Sequence, residues 1–175
     1  DGLLEDMKKV LMLPFSSLLE IVPKLCRDLA RDRGREVDLL IQGGEIEIDR
    51  RILEEMKDPL VHLLRNCIDH GIEEPKEREQ KKKSRRGRIT ITISAKNGSK
   101  VELVVSDDGG GIDVEKIKSS ALNLGLIARE ETEKLDEQAI LSLIFQSGVS
   151  SSPIITDISG RGLGLAIVRE KAEKV

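Results

Sequence analysis

Residues 60–71 read LVHLLRNCIDHG and form the most strongly patterned stretch of the 175-residue chain. Apolar side chains recur there at i, i+3, i+4, i+7 and i+8, namely Leu60, Leu63, Leu64, Cys67 and Ile68. This spacing predicts a helix with one face packed against a core. Pro59 suits the first turn of that helix, and Gly71 suits its end.

The opposite face of the same helix carries polar side chains that differ from an ordinary solvent-facing stripe of Lys and Glu. They are His62, Asn66, Asp69 and His70, at i, i+4, i+7 and i+8. At about 100° per residue they share a sector of roughly 100°, nearly opposite the leucines. Their donors and acceptors suit water, phosphate and metal, and Asn66 offers a neutral oxygen ligand for Mg²⁺. From this segment alone, an exposed face that merely contains histidines stays open as the alternative.

Two glycine-rich segments follow. Residues 107–112, DDGGGI, end a predicted strand, and their glycines permit close backbone approach to a ligand. The carboxylate of Asp107 can accept a hydrogen bond from an exocyclic amine, although Asp-Gly clusters also form ordinary turns. Residues 160–165, GRGLGL, open the last predicted helix, where N–H groups at the positive end of the helix dipole bind phosphate. No predicted strand directly precedes this segment, so it fails the condition for a dinucleotide-binding βαβ motif.

The first third of the chain predicts a broken helix and a hairpin. Residues 3–33 favour helix, interrupted at Pro14 and Pro23, with a stripe of leucines and other apolar side chains. Strand-like runs cover Glu36–Gln42 and Glu45–Asp49, and the Gly-Gly pair between them is typical of a hairpin turn. The last residue of the second run, Asp49, is also suited to cap a helix that contains Ile52, Leu53 and Met56.

Later in the chain, strand and helix patterns alternate. The apolar residues of Ile89–Ile93 and Val101–Val105 alternate with polar ones, and Asn97-Gly98 between them predicts an antiparallel hairpin. Further helices are predicted over Val114–Leu124, Asp136–Phe145 and Leu163–Val175. The predicted class is α+β, a two-layer sandwich with a mixed or antiparallel sheet and helices on one face.

Composition argues against a nucleic-acid-binding protein. The chain has 29 Lys and Arg against 32 Asp and Glu, a net charge of −3, no Trp, no Tyr and two Phe. It therefore lacks both an excess of positive charge and aromatic platforms for stacking bases. The basic stretch Lys76–Arg88 contains eight Lys or Arg and is typical of a solvated helix and loop. A scaffold that binds an acidic partner or nucleic acid through Lys81–Lys83 and Arg85–Arg88 is the alternative interpretation.

The sequence also bears on location and extent. No apolar run approaches the ~18 residues that a membrane span requires, and no signal peptide is apparent. Cys26 and Cys67 lack metal-ligand spacing and predict reduced thiols in the core of a cytoplasmic protein. The chain begins with Asp1 rather than Met, which indicates a segment of a longer protein.

The order of these motifs resembles the GHKL, or Bergerat, nucleotide-binding fold. The matching motifs are His62-x-x-x-Asn66-x-x-x-His70-Gly71, Asp107-x-Gly109-x-Gly111, Phe145-x-x-Gly148 and Gly160-x-Gly162-x-Gly164. Residues 62–73, HLLRNCIDHGIE, and the upstream residues 13–66 resemble the CheA-type chemotaxis histidine kinases more narrowly. The resemblance implies two regions, residues 1–33 as the end of a dimerisation region and residues 34–175 as the ATP-binding catalytic domain. The family fold continues with further strands, so a chain that ends at Val175 is expected to lack the last of them.

The resemblance implies a site for ATP and Mg²⁺. In that site Asn66 coordinates Mg²⁺, and His62, Asp69 and His70 lie beside the triphosphate, with His62, Asn66 and His70 as the catalytic residues. Asp107 accepts a hydrogen bond from the adenine amino group. Residues from about Phe145 to Ser159 form a lid. The remaining cofactor-binding residues are expected to be Gly109, Gly111, Ile112, Ser150, Gly160, Arg161, Gly162, Leu163 and Gly164.

The resemblance also implies an activity and its partners. A protein-histidine kinase of this type transfers the γ-phosphoryl group of ATP to a histidine on a separate phosphotransfer domain, and a response regulator receives it next. His62 and His70 are the only histidines of the chain and both fall in the implied site, so the acceptor is expected in trans. A CheW-like adaptor and a chemoreceptor are expected to bind through domains outside this chain, with no nucleic acid and no membrane insertion.

Two alternatives keep the fold and change the activity. One is an ATP-hydrolysing GHKL enzyme, and the other is a non-catalytic nucleotide-binding regulatory module. The resemblance to hydrolysing members is weaker because they have a Glu general base where this chain has His62. A carboxylate there activates water, so its absence favours transfer over hydrolysis.

Overall fold

The computed structural model describes residues 11–96, 100–128 and 135–145, together with residues 168–169 and 172–173. It divides the chain into two compact units, Asp1–Gly110 and Gly111–Val175. In chain order the elements are β1 (Met12–Pro14), α1 (Ser16–Leu19), α2 (Val22–Asp32), β2 (Val37–Gln42), β3 (Glu47–Asp49), α3 (Arg50–Asn66), a π-helical turn (Cys67–Gly71), α4 (Pro75–Gln80), β4 (Gly87–Ala95), β5 (Val101–Asp107), α5 (Val114–Asn123), α6 (Glu137–Ser142) and a 3₁₀ turn (Leu143–Phe145).

The central strand of the first unit is β4. It runs parallel to β2 on one side and antiparallel to β5 on the other, so that Ile91 lies opposite both Ile41 and Val105. Its isoleucines are buried on one face, whereas the threonines between them lie on the other, as the two-residue period of a strand requires. The antiparallel pairing of β4 with β5 confirms the predicted hairpin, although its turn, residues 97–99, lies outside the described residues.

The other predicted hairpin is wrong. β2 pairs with β4, whereas β3 pairs with β1 in a separate two-stranded sheet. Gly43, which follows β2, has a φ of +79°, and a Cβ at this position would collide with the backbone carbonyl of Ile93. The Gly-Gly turn therefore passes tightly against the end of β4 and directs the chain away from β2, because only glycine tolerates this approach.

The N-terminal helix is shorter than the sequence predicts. The break at Pro14 is confirmed, but Met12–Pro14 forms strand β1, in which Leu13 lies opposite Ile48 of β3. Helix resumes only at α1, and α2 begins next to Pro23, where the missing N–H of proline is tolerated. A partner strand more than thirty residues away thus overrides the local helical pattern.

Helix α3 runs without interruption through Pro59, so the predicted start of a new helix at this residue is wrong. Proline removes one backbone hydrogen bond from a helix interior. The helix nevertheless continues on both sides of Pro59, because the burial of Leu53, Leu60 and Leu64 on one face holds both parts of it against the core. The predicted cap is confirmed, because the side chain of Asp49 accepts a hydrogen bond from the backbone N–H of Arg51 at 2.8 Å.

One hydrophobic core joins the sheet to the helices of the first unit. It contains side chains from α1, α2 and α3, the π-helical turn and β4, and its largest members include Phe15, Val22, Leu60, Leu64, Ile68, Ile89 and Ile91. With helices packed on one face of a mixed sheet, the α+β class and the GHKL-type architecture are confirmed. The predicted apolar stripe lies in this core at Leu18, Leu19, Val22 and Leu29, whereas Leu11 and Ile21 are exposed. The division of the chain at residue 33 stays a prediction.

The second unit contains a smaller core between α5 and α6. Its buried members are Ile117, Ala121, Ile140 and Leu143. Both predicted helices are confirmed, and Asp113 and Asp136 cap their first turns by accepting backbone N–H groups. The described residues of the last predicted helix, 168–169 and 172–173, are helical. Among the described residues, no helix is long and apolar enough to cross a membrane.

Candidate functional site

The end of helix α3 and the end of strand β5 meet in the first unit. The backbone N–H of Gly110 donates to the carbonyl of Gly71 at 2.9 Å. A Cβ on Gly71 would lie 2.7 Å from the carboxylate of Asp107, and a Cβ on Gly109 would collide with the Gly71 carbonyl. Gly109 is therefore required by the backbone of Gly71, whereas a side chain at Gly71 would displace the Asp107 carboxylate. The structure thus brings together the first two motifs of the sequence.

The turn after Asn66 is π-helical, which changes the direction of the side chains that follow. It closes with a hydrogen bond of 2.7 Å from the N–H of Ile72 to the carbonyl of Cys67. A π-helical turn is wider than an α-helical one, so the spacing of 100° per residue does not hold beyond Asn66. The positions of Asp69 and His70 beside a triphosphate therefore stay a prediction. The carboxylate of Asp69 forms an ion pair with Arg33, at 2.9 Å from Nε, near the end of α2.

Both histidines of the motif have lowered pKa values. Desolvation lowers the pKa of His62 below its usual 6.5, and the positive charge of Arg65 lowers it further. Desolvation also lowers the pKa of His70, although the carboxylate of Asp69 partly opposes this shift. Each imidazole is therefore neutral at pH 7 and offers one hydrogen-bond donor and one acceptor. Asn66, between them in the sequence, is half-buried.

Asp107 is the last residue of β5, and its carboxylate lies beside the buried thiol of Cys67. Its Oδ1 accepts a hydrogen bond from the N–H of Gly109 at 2.9 Å. Burial raises the pKa of Cys67 to about 12, with further contributions from the charge of Asp107 and a hydrogen bond with it. The thiol is therefore protonated at neutral pH and donates toward the carboxylate. This confirms the prediction that Cys67 is a core residue and not a reactive thiol.

Sequence reasoning missed the side of the site formed by α4. Arg78 belongs to the basic stretch predicted to be solvated, yet its side chain is only 1% exposed and its Nη2 lies 3.0 Å from Oδ2 of Asp108. Its Nη1 lies 2.9 Å from Oε2 of Glu73, which is also buried. The solvated-stretch prediction is therefore wrong at Arg78. No periodicity distinguishes this residue from its exposed neighbours, because its burial depends on a residue thirty positions later.

The other predicted site residues belong to the second unit or fall outside the described residues. Gly111 and Ile112 begin the second unit, where Gly111 has a φ of +76° and Ile112 is exposed. The left-handed backbone at Gly111 favours glycine. The predicted lid beyond Phe145 lies outside the described residues, as do Ser150, Gly160, Arg161, Gly162, Leu163 and Gly164.

Comparison with known proteins gives consistent matches. The family model "Histidine kinase-, DNA gyrase B-, and HSP90-like ATPase" matches residues 55–175. The Chemotaxis protein CheA of Halobacterium salinarum is 40% identical over 165 residues, and that of Bacillus subtilis is 41% identical over 164 residues. Each of these alignments covers 94% of this chain and 24% of the relative. The Gliding motility regulatory protein of Myxococcus xanthus is 38% identical over 162 residues, which cover 93% of this chain and 21% of that protein.

The mixed sheet, the joined motifs and these matches define the class of the protein. The chain belongs to the family of histidine kinase-, DNA gyrase B- and HSP90-like ATPases, whose domains bind ATP. Over 94% of its length the chain is similar to the corresponding part of the two CheA proteins. The chain spans about a quarter of the length of the curated relatives that it matches. The predicted GHKL-type nucleotide-binding family is confirmed.

Proposed function

We propose that this domain binds ATP with Mg²⁺ and transfers the γ-phosphoryl group to a histidine on a separate phosphotransfer domain. The observation that carries the proposal is the hydrogen bond between Gly71 and Gly110, because it joins the Asn66 helix to the Asp107 loop. One nucleotide could therefore contact both segments within the first unit. Phosphoryl transfer depends mainly on positioning and electrostatic stabilisation, so this pairing of segments is the contribution required of the protein.

Asp107 has the chemistry needed to recognise adenine. A carboxylate oxygen can accept more than one hydrogen bond, so Asp107 can bind an amino group while Oδ1 also accepts the N–H of Gly109. Gly109 lacks a Cβ where the Gly71 carbonyl lies, so the loop after Asp107 can run directly beside the end of the Asn66 helix, and the space beside Gly111 is open. In this proposal Gly109, Gly111 and Ile112 stay the expected nucleotide-binding residues, and the predicted residues of the last glycine segment contact the phosphates.

The residues around Asn66 fit Mg²⁺ held together with phosphate. Among the described residues, no three His, Cys, Asp or Glu side chains converge as a metal-binding group. Mg²⁺ keeps several waters and shares phosphate oxygens, so the half-buried amide of Asn66 can serve as its protein ligand. The bound ion would neutralise phosphate charge. The neutral His62 and His70 would then orient the phosphates and the incoming acceptor through hydrogen bonds.

The acceptor, the partners and the location form part of the same proposal. The phosphoryl acceptor lies outside this chain, since its histidines, His62 and His70, are both assigned to the nucleotide site. A response regulator then receives the phosphoryl group, as in chemotaxis signalling, and a CheW-like adaptor and a chemoreceptor act through domains outside this chain. A cytoplasmic location is consistent with Cys26 and Cys67 as free thiols.

The first test is calorimetric titration of the chain with a non-hydrolysable ATP analogue, with and without Mg²⁺. Asp107→Asn is expected to weaken binding at least ~10-fold, because it removes a charged hydrogen-bond acceptor. Asp58→Asn, the same change on the exposed face of α3, is expected to leave binding unchanged. Binding that is equally tight in the Asp107 variant would contradict the adenine site.

Transfer itself is tested with radiolabelled ATP and the phosphotransfer domain of the same full-length protein. Labelled phosphohistidine on that domain is the expected product. Sustained ATP turnover without a phosphoprotein would instead favour a hydrolysing enzyme. Nucleotide binding without either reaction would favour a regulatory module.

A further inference from the structure

Arg78, in the basic stretch Lys76–Arg88, is buried with all three guanidinium nitrogens bonded. Nε donates to the carbonyl of Ser84 at 2.7 Å, and Nη1 donates to Oε2 of Glu73 at 2.9 Å. Nη2 donates to Oδ2 of Asp108 at 3.0 Å. The side chains of Arg78 and Glu73 are only 1% and 6% exposed. Such a buried pair is tolerated only with this degree of hydrogen bonding.

Lys83 completes the same network from the solvent side. Its Nζ donates to Oε1 of Glu73 at 2.9 Å and to the carbonyls of Asp108 at 3.2 Å and Gly109 at 2.7 Å. The preceding residue, Lys82, has a φ of +58°, and the N–H of Lys83 donates back to the carbonyl of Arg78 at 2.9 Å. The turn after α4 therefore brings Lys83 back beside Arg78, and both cations donate to Glu73.

The two cations hold the backbone of the loop 107–110 by its carbonyl oxygens. Nη1 of Arg78 and Nζ of Lys83 both reach the carbonyl of Asp108, and Lys83 also reaches that of Gly109. The N–H groups of Asp108 and Gly110 donate to backbone carbonyls of neighbouring segments. The peptide groups directly after Asp107 are therefore fixed through both donors and acceptors.

We propose that Arg78 and Lys83 are positioning residues that set adenine selectivity by holding the loop 107–110. The inference rests on the proposed function. Because Asp107 precedes the held peptides and accepts the N–H of Gly109, its carboxylate cannot tilt without disturbing them. Loss of the cations would therefore displace the carboxylate from the amino group of the base, while contacts with the phosphates would be unaffected.

A purely stabilising role accounts less well for this arrangement. A buried ion pair contributes little stability compared with apolar side chains of similar volume. Apolar residues in place of Arg78 and Lys83 would fill the same space but could not donate to the carbonyls of Asp108 and Gly109. What only these cations supply is the set of hydrogen bonds to the carbonyls of the loop 107–110.

The test compares Lys83→Met with Lys81→Met. Lys83 is chosen because its side chain is 32% exposed, whereas removal of Arg78 would break a buried ion pair and endanger folding. Lys81 belongs to the same basic stretch, and its Nζ lies 2.7 Å from Glu77 and 3.5 Å from Oε1 of Glu73. Lys81→Met is the matched control because it removes a cation beside Glu73, whereas the bonds to the carbonyls of Asp108 and Gly109 come from Lys83. The probes are ADP and inosine diphosphate, titrated with Mg²⁺. Inosine has a carbonyl oxygen where adenine has the amino group.

Lys83→Met is expected to weaken ADP binding about tenfold and inosine diphosphate binding less than twofold. It is also expected to speed hydrogen exchange at the Gly109 and Gly110 amides without changing the melting temperature by more than a few degrees. Lys81→Met should change none of these. Wild-type selectivity and exchange in Lys83→Met, or an equal loss for both nucleotides, would overturn this inference alone. A wild-type chain that binds neither nucleotide would overturn the proposed function, and this inference with it.

Discussion

Gly71, Gly109 and Gly111 illustrate two distinct reasons for glycine at the level of single residues. Neither Gly71 nor Gly109 has a positive φ, and at each of them another segment lies close to where a Cβ would be. Gly111 differs, since its φ of +76° favours glycine whatever its neighbours are. The sequence predicts that these glycines matter, but it does not distinguish close approach from backbone conformation. This distinction depends on which segments meet.

Lys82 is the one non-glycine residue with a positive φ among those described. Lys82→Gly is expected to raise the free energy of unfolding by about 0.5–1 kcal/mol, because it relieves left-handed strain at the end of α4. Urea denaturation measures the change. Lys81→Gly is the control, since Lys81 has a φ of −81° and its substitution should destabilise the domain by a similar amount. Equal losses in both variants would argue against strain at Lys82.

At the scale of elements, substitutions in and beside α1 test whether α1 and α2 belong to the catalytic domain. Phe15, at the start of α1, is 2% exposed within the core that contains β4 and α3. Phe15→Ala is expected to lower the free energy of unfolding by about 3–5 kcal/mol through loss of burial and a cavity. Ile21→Ala, between α1 and α2, should change it by less than about 1 kcal/mol because Ile21 is 46% exposed. Both are measured by chemical denaturation.

A small effect of both substitutions would mean that residues 1–33 contribute little to the fold of the remainder. That outcome would favour the predicted division at residue 33. A large effect of Phe15→Ala alone would instead assign α1 and α2 to the same cooperative unit as the sheet.

Two hairpin predictions show how far local patterns specify the pairing of elements. The alternating runs around Asn97-Gly98 pair as predicted, whereas those around Gly43-Gly44 do not. Both turns have glycine and both are flanked by strand-forming residues. The difference is that β2 finds a parallel partner in β4, more than forty residues later, and no local signal specifies such a partner.

At the scale of the whole molecule, the buried ion network links the stability of the first unit to pH. Burial alone would raise the pKa of Glu73, but hydrogen bonds with Lys83 and Arg78 and the charge of Lys83 lower it from 4.5 to about 2. A carboxylate whose pKa is lower in the folded state stabilises it above pH 4.5 and loses this contribution as the pH falls toward 2. The unfolded chain takes up the proton first.

Glu73→Gln is therefore expected to destabilise the domain most at pH 6, with a difference from the wild type that shrinks as the pH falls below 4. Urea unfolding at several pH values measures this trend. Glu77→Gln, an exposed carboxylate of α4, is expected to show little difference at any pH. A difference between the wild type and Glu73→Gln that is the same at pH 3 and pH 6 would contradict the lowered pKa.

The sequence by itself determined the α+β class, the helix that carries Asn66, the β4–β5 hairpin and the glycine-rich motifs of the family. These features follow from periodicity and turn residues, which act between neighbours along the chain. Only the tertiary structure decided the partner of β2, the burial of Arg78, the ion pair of Asp69 and the contact of Gly71 with Asp107. Each of these joins residues at least thirty positions apart. Local preference cannot specify such contacts, because they depend on how the whole core closes.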